Sequence, residues 1–484
     1  MLRIHVSNRI TELRSAEKDG ETLIYIPRQI ILLDCMFKAL GFTACPIYLL
    51  LGEPRDQEII GAAAKTLVRD LAGDLSVFSG AMDLFRVNVK YPLYRNLYRM
   101  GESGGDLYRY LASQYLENGA GDVDLAVSLY ASRSGFIIRD QWMLREKPGS
   151  VGIRIKPDLR RASNIVESLG KPVYEYINPL SRILRSIRIP RTPDPLPPET
   201  LIEAVEGRVI NYNMIRDRIA EIRERSYGER TIAKILGSMY SSRVIVDKES
   251  GVKLVIKRFS EYTSAKWLLL SPTVDLMTLI GIRPKALPST RFWNEYRFSI
   301  ELRKHGIRTP RILYIDPWSL TMIREYIDGE PLGVLIEQEG GIDRAIEIFM
   351  RTIAKIHSNG FCMVDTKPDN YIASDGMDAA YCVDLEQISQ CRKPLHMAWD
   401  LAVFMYFTSL LAPEPVGDRV PEAFNWGMGI YLDSVTYDES TKNSVVRKLS
   451  DPRISSAFIM SLSIFGPSRL KLFIDILRKA SSIK

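Results

Sequence analysis

The stretch DTKPDN at residues 365–370, followed by YCVDLEQ at 381–387, decides how this chain is read. Asp365 and Asn370 stand five residues apart, and Asp384 interrupts an apolar run. Phosphoryl transfer needs a carboxylate that orients the attacking hydroxyl and accepts its proton. It also needs oxygen ligands that hold Mg²⁺ across the nucleotide phosphates. Asp365, Asn370 and Asp384 are the three groups that such chemistry requires. By chance, D-x-K-P-x-N is expected in a chain of this length about three times in a thousand. Asp, Pro and Asn also build ordinary surface turns, so the flanking sequence has to decide.

Upstream of the hexapeptide, DRAIEIFMRTIAKIHSNGF (343–361) repeats apolar residues at helical spacing through Ile346, Phe349, Ile353 and Ile356. It stops at Asn359-Gly360, a natural helix end. Downstream, YIAS and AAYCVDL predict short strands around the turn Ser374-Asp375-Gly376. Asp365 and Asp384 then flank one hairpin and converge on one metal.

The remaining parts follow in order further upstream. GVKLVIKRF (251–259) predicts a strand ending in Lys257, the place for a lysine that grips α/β-phosphates. Lys253 shares its face by alternation, so spacing alone does not choose between them. TRFWNEYRFSIELRKHG (290–306) predicts a helix with Thr290 as N-cap and Gly306 as stop. Its Glu295 is the candidate carboxylate for pairing with Lys257. RTIAKILGSMYSSRVIVDKESG (230–251) predicts two strands around a loop in which Gly237 and Ser238 would aim donors at phosphates, with a second turn at Ser250-Gly251. That loop lacks G-x-G-x-x-G. SLTMIREYIDGEPL (319–332) predicts a strand running into a hinge, where the backbone of Glu325, Tyr326 and Ile327 would meet an adenine edge.

With these residues in hand, residues of about 228 to 484 resemble the atypical, RIO-like branch of the protein-kinase superfamily, which includes the small kinase of the archaeal KEOPS complex. The resemblance implies an α+β, two-lobed kinase-like domain, with lobes of about 228–328 and 329–484, that uses ATP and Mg²⁺. It implies Asp365 as catalytic aspartate, Asn370 and Asp384 as Mg²⁺ ligands, and Lys257 with Glu295 as the phosphate-gripping pair. Lys367 falls where serine/threonine kinases place a lysine near the γ-phosphate. His357 in KIHSNG and Asp400 in WDLAVFMYF read as structural. The chain also departs from the pattern. Met363-Val364 precedes Asp365, so the arginine that would read an activation-loop phosphate is absent. Leu385-Glu386 replaces the Phe-Gly that follows the metal aspartate, and Glu386 adds a further carboxylate near the metal. Only about fifteen residues separate Asp384 from Asp400, without an A-P-E motif, so there is no room for the usual peptide platform. The stretch 260–289 reads as a family-specific insertion without chemistry, packed through Trp267, Leu268, Leu269 and Leu270; the alternative is a substrate-recognition lid in which Lys266 and Arg283 would contact an anionic substrate.

The other half of the chain is less specific. At 484 residues, length allows two to three domains. A charged fraction of 25% and a hydrophobic fraction of 46% are those of ordinary globular proteins, and a net charge of +7 permits an anionic partner without demanding one. No window offers the roughly twenty uninterrupted apolar residues of a membrane span, and the N-terminus has no signal-peptide pattern. The five cysteines, at 35, 45, 362, 382 and 391, show no C-x-x-C pair. Their odd count argues against a disulfide framework, which predicts reduced thiols and a cytoplasmic protein.

Five prolines from Pro190 to Pro198 mark a stiff connector, so the expected organisation is a mixed α/β domain over 1–189, a connector with an amphipathic helix over 190–227, and the kinase-like domain over 228–484. The helix is predicted from Leu201, Val205, Val209, Tyr212, Ile215, Ile219 and Ile222, which recur at three and four residues. In the first domain, ETLIYI, CPIYLLLG and SVGIRIKP predict strands and Arg28 to Leu40 a helix. YPLYRNLYRMGESGGDLYRYLASQYL predicts a helix pair with half-buried tyrosines. Its interleaved arginines, and Arg182, Arg185, Arg188 and Arg191, are the candidate contacts for RNA or an acidic partner.

Three functions from different classes follow. The first is an atypical serine/threonine protein kinase with a protein substrate. The second is a kinase of a small hydroxyl-bearing metabolite, such as a sugar or lipid, built on the same core. The third is a nucleotide-binding regulator without catalysis, against which intact Asp365 and Asn370 argue.

Overall fold

In the computed structural model of the chain, the structure describes residues 2–7, 13–18, 21–38, 40, 43–52, 56–103, 105–146, 174–187, 194–221, 242–259, 281–282, 284–374, 376, 378–391, 393–413, 419–456, 458 and 466–483. Gly237, Ser238, Lys266, Arg283, Arg188, Arg191 and the SVGIRIKP segment lie outside the described residues, as does the side chain of Arg185. The secondary structure is α+β, and the chain divides into two compact units, 1–205 and 206–484.

In the first unit, Glu21–Pro27 is the central strand of a three-stranded sheet, parallel to Leu2–Ser7 and antiparallel to Arg14–Lys18. The helix Arg28–Phe37 follows it directly. CPIYLLLG forms a helix, Ala44–Leu51, where a strand was expected. Residues 44–49 are all buried, so the sequence carries no amphipathic period that would separate helix from strand. The helix is fixed from outside. The buried Asp34 carboxylate accepts from Leu40 N, Ala44 N and Cys45 N, each at 2.9 Å, and Pro46 sits in the first turn, where a missing N–H costs little. Tyr91–Glu102 and Asp106–Asn118 form the expected helix pair. Its Tyr91, Tyr94, Tyr108 and Tyr115 are buried. A second sheet of this unit runs Ile137–Arg139, Trp142–Leu144, Phe85–Asn88, Ile202–Ala204, all antiparallel.

The second unit opens on a mixed sheet in the order Arg208–Val209, Ile312–Asp316, Thr321–Glu325, Lys253–Arg258, Ser242–Asp247, Ile219–Glu221. The first pair is parallel and the rest antiparallel. Of the residues expected as one amphipathic helix, 201–221 form short strands and 3-10 turns instead, and Ile222 lies outside the described residues. Gly207 has φ +75°, and a Cβ there would lie 3.1 Å from the carbonyl oxygen of Ile312. Glu206 accepts from Ile312 N at 2.6 Å, and Asp316 accepts from Tyr212 N at 2.8 Å. These non-local bonds override the local 3.6-residue period. The helix Pro288–Lys304 begins two residues before the expected cap, with Leu287 at the N-cap position instead of Thr290. Pro288 takes the first helical position, where its fixed φ is already helical.

The larger apolar core of this unit lies under the helices Gly341–Ser358, Pro394–Leu411, Arg419–Ser434 and Pro467–Ala480. Gly341–Ser358 ends, as its sequence predicts, before Asn359-Gly360, with Gly360 at φ +78°. The expected hairpin is present, Tyr371–Ala373 antiparallel to Tyr381–Cys382. Cys35 is bonded to Cys45 and Cys362 to Cys391, which leaves one free thiol, the buried Cys382. The expectation of reduced thiols is thus corrected. Each pair has Cα atoms 5.3 Å apart, a span that a disulfide fits, and pairing made by tertiary structure leaves no spacing motif in the sequence. Among the described residues no helix is long and apolar enough to cross a membrane.

Candidate active site

Lys257 and Lys253 lie on one strand, and burial separates them. Lys253 is exposed, whereas the Lys257 side chain is 1% accessible. Lys257 Nζ is 2.6 Å from Glu295 Oε2, 2.9 Å from Asp384 Oδ1 and 3.8 Å from Glu386 Oε2. Burial works against the ammonium charge, but Asp384, Glu295 and Glu386 outweigh it and raise the pKa. The Glu295 carboxylate, itself fully buried, takes Lys257 on one oxygen and Arg324 Nη1 on the other.

Asp384 keeps 30% of its side chain exposed. Burial disfavours its charge, yet Lys257, Lys367 and Arg324 pull its pKa below the ordinary value. Glu386 goes the other way. Burial and the neighbouring Asp384 push its carboxyl up to about 7, against the partial relief of Lys257 and Arg291. Arg291 Nη1 lies 3.3 Å from Glu386 Oε2.

The segment after Asp384 is held at every residue. Asn294 Nδ2 donates to the carbonyls of Leu385, Glu386 and Ile388 at 3.1, 3.0 and 2.9 Å. Lys285 Nζ donates to Gln387 O and Ile388 O, and the Gln387 amide bonds both the N–H and the C=O of Lys285.

Asp365 sits on a loop whose backbone is set by Asp400. The buried Asp400 carboxylate accepts from Met363 N at 2.7 Å and Val364 N at 2.8 Å. Trp399 Nε1 donates to Val364 O, and Thr366 Oγ1 donates to Asp400 O. So held, Val364 takes φ +69°, which a β-branched residue adopts only when its surroundings impose it. His357 joins Asp400 at 3.2 Å and Tyr431 at 2.9 Å. Lys367 Nζ reaches Asp365 Oδ2 at 2.8 Å, and Asn370 Nδ2 donates to Asp365 O at 2.8 Å. Burial opposes the charge of Lys367, but Asp365, Asp384 and Glu386 raise its pKa. Val383 N donates to Asn370 O at 3.0 Å, which puts Asn370 beside the residue that precedes Asp384.

Glu325 is still within its strand, and its N–H donates to Arg311 O, so that amide is committed to the sheet; Ile327, beyond it, is buried. Sequence reasoning missed Arg324, Asn294, Arg291 and Lys285. Only Arg324 gave a signal, as a charge inside the apolar strand TMIRE.

Glu295, Asp384 and Glu386 each bring a carboxylate oxygen within 4.8 Å of the others, and Lys257 and Arg324 already occupy Glu295. Asp384, Glu386 and the amide oxygen of Asn370 are hard oxygen donors of the kind Mg²⁺ takes, so the residues fit that ion. His357, Cys362 and Asp400 also cluster, but both His357 nitrogens are hydrogen-bonded and Cys362 is in a disulfide, so they do not offer a metal site.

No known family model matches this chain, and no curated protein does. Among solved structures it is similar to an ethanolamine kinase of Plasmodium vivax, with a TM-score of 0.29 and 13% identity over 50% of this chain and 79% of that one. A likeness so distant carries no argument about function.

Proposed function

We propose that residues 206–484 form a kinase-like, two-lobed phosphotransferase that uses ATP and Mg²⁺ and has an alcohol as acceptor. The observation that carries this reading is the buried Lys257, shared between Glu295 and Asp384, with Asp365 at the other end of the hairpin that leads to Asp384. In this reading Lys257 binds the α/β-phosphates and Glu295 keeps it aimed. Asp384 and Asn370, with Glu386, would hold Mg²⁺, which would supply positive charge to neutralise the nucleotide phosphates. Asp365 orients the acceptor hydroxyl. The oxygen attacks the γ-phosphorus, the bond to the β–γ bridging oxygen breaks, ADP leaves, and the hydroxyl proton passes to Asp365. Lys367, paired with Asp365, stands ready for γ-phosphate charge.

The acceptor has two readings. A serine or threonine hydroxyl of a protein is the one that the sequence resemblance implies. The segment between Asp384 and Asp400 favours a small hydroxyl-bearing molecule. Leu385–Ile388 is pinned, Ser389–Gln390 pairs with Phe361–Cys362, Cys391 N bonds Gly360 O, and a helix starts at Pro394. That stretch therefore offers no platform for an extended peptide.

The test is transfer of labelled γ-phosphate from ATP by the full chain, separating label on protein from label on small molecules. Asp365→Ala is expected to bind ATP and to lose transfer by ~10²–10⁴-fold. Asp384→Ala is expected to lose Mg²⁺-dependent ATP binding. Binding without turnover in wild type would leave a regulator, and undiminished transfer by Asp365→Ala would refute the assignment of the base.

A further inference from the structure

Arg324 belongs to a strand whose residues Thr321 to Arg324 are all buried, and a guanidinium in that position has to be paired. Its partner is Glu295, which it meets on Oε1, while Lys257 holds Oε2 at 2.6 Å. Arg324 is thus one of three cations, with Lys257 and Arg291, that face three carboxylates, Glu295, Asp384 and Glu386. It directly precedes the residues expected at the adenine edge. From this arrangement we infer that Arg324 is a positioning residue for Lys257: it supplies the fixed counter-charge of Glu295 and so frees the ammonium for a nucleotide phosphate.

The argument is electrostatic. A fully buried carboxylate with a single cationic partner would hold that partner tightly, because any departure would leave an unpaired charge in a low-dielectric interior. Were Lys257 the sole partner of Glu295, its ammonium would be retained at the carboxylate. With Arg324 in place both oxygens of Glu295 are satisfied, and the same ammonium already extends to Asp384 at 2.9 Å. A phosphate oxygen entering beside Asp384 then finds a donor that can turn toward it while Glu295 stays paired. Arg324 touches Glu295 and acts on the phosphates only through Lys257. The inference rests on the phosphotransferase reading given above.

The experiment compares binding of ATP, ADP and adenosine, each with Mg²⁺, to the full chain and to Arg324→Met, Arg324→Lys and Lys257→Met, with thermal unfolding in parallel. Arg324→Met is expected to weaken ATP and ADP at least ~10-fold, the equivalent of one charged hydrogen bond, and to leave adenosine unchanged. Arg324→Lys restores most of the loss, and in the Lys257→Met background Arg324→Met has no further effect on ATP. Should Arg324→Met fail to fold, Arg324→Gln and Arg324→Lys make the same comparison: Gln, without the charge, weakens ATP, and Lys retains it. Unchanged ATP affinity in the neutral variants, or equal weakening of ATP and adenosine, would overturn the inference and leave the phosphotransferase reading standing. Failure of wild type to bind ATP would remove both.

Discussion

Asp400→Asn tests whether the backbone before Asp365 is held as described. The Asp400 carboxylate makes three contacts: Met363 N and His357 Nε2 on Oδ2, and Val364 N on Oδ1. A carboxylate only accepts, so Nε2 donates to Asp400, and Nδ1 lies 2.9 Å from the Tyr431 hydroxyl. Burial, then Tyr437 and Asp400, raise the pKa of Tyr431 and keep its hydroxyl protonated for that bond. Asparagine has one acceptor oxygen and one NH₂ group. If its oxygen keeps Met363 and His357, the NH₂ faces Val364 N–H, donor against donor. The variant loses a charge-assisted hydrogen bond, roughly 1.5–3 kcal/mol, and leaves a buried N–H unsatisfied, roughly 1–3 kcal/mol more, for a total of about 2.5–6 kcal/mol. The loss falls on Val364, whose left-handed backbone is held by Asp400 and Trp399. Urea unfolding followed by tryptophan fluorescence measures it, because five of the six tryptophans lie in residues 206–484. Phosphate transfer should fall along with stability while Mg-ATP binding persists. A change under about 1 kcal/mol, with transfer intact, would refute the reasoning.

Glu386 gives a pH dependence of defined sign. Its folded pKa of about 7 lies above the ordinary 4.5, so the folded state binds more protons between these values. Stability from this group is fully present below about pH 4.5 and is lost as pH rises through 7; Glu386→Gln should flatten that fall in the pH profile of urea unfolding. Thiol titration in denaturant should find one reactive thiol per chain before reduction and five after it, and five beforehand would show that neither disulfide forms in solution. Gly207→Ala separates the observed turn from a helix by its sign. At φ +75° an added Cβ should destabilise by about 1 kcal/mol or more, whereas in a helix the same change would stabilise by roughly that amount.

What could be read from sequence was local. The helix Gly341–Ser358, its stop at Asn359-Gly360 and the hairpin after Asn370 each rest on periodicity and turn chemistry within a few residues. What could not be read was set from a distance. Residues 201–222 have a helical apolar period, but Glu206 and Asp316 bond across about a hundred residues and hold an extended path. The helix Ala44–Leu51 is buried on all sides over its first six residues, so it shows no period, and its start is fixed by Asp34. Lys253 and Lys257 are equivalent by alternation, and what distinguishes them is the burial of Lys257 against Glu295 and Asp384.

The way Leu385-Glu386 is held after Asp384 bears on control under the proposed reading. Asn294 and Glu295 are neighbours on one helix, and between them they bind both sides of the site. Asn294 ties down the carbonyls of Leu385, Glu386 and Ile388, while Glu295 holds Lys257 and reaches Leu385 N at 3.4 Å. Any rotation of that helix would break the Lys257 pair and the Asn294 bonds together, and with them the pairs of Glu295 with Arg324 and of Arg291 with Glu386. Under the proposed reading this helix therefore ties the phosphate-binding lysine and the segment after the metal aspartate into one unit. A switch that moves the helix or the post-aspartate segment independently would have to unpair several buried charges at once, at several kcal/mol each. Under that reading, control would act on access of nucleotide or acceptor and not on assembly of the site.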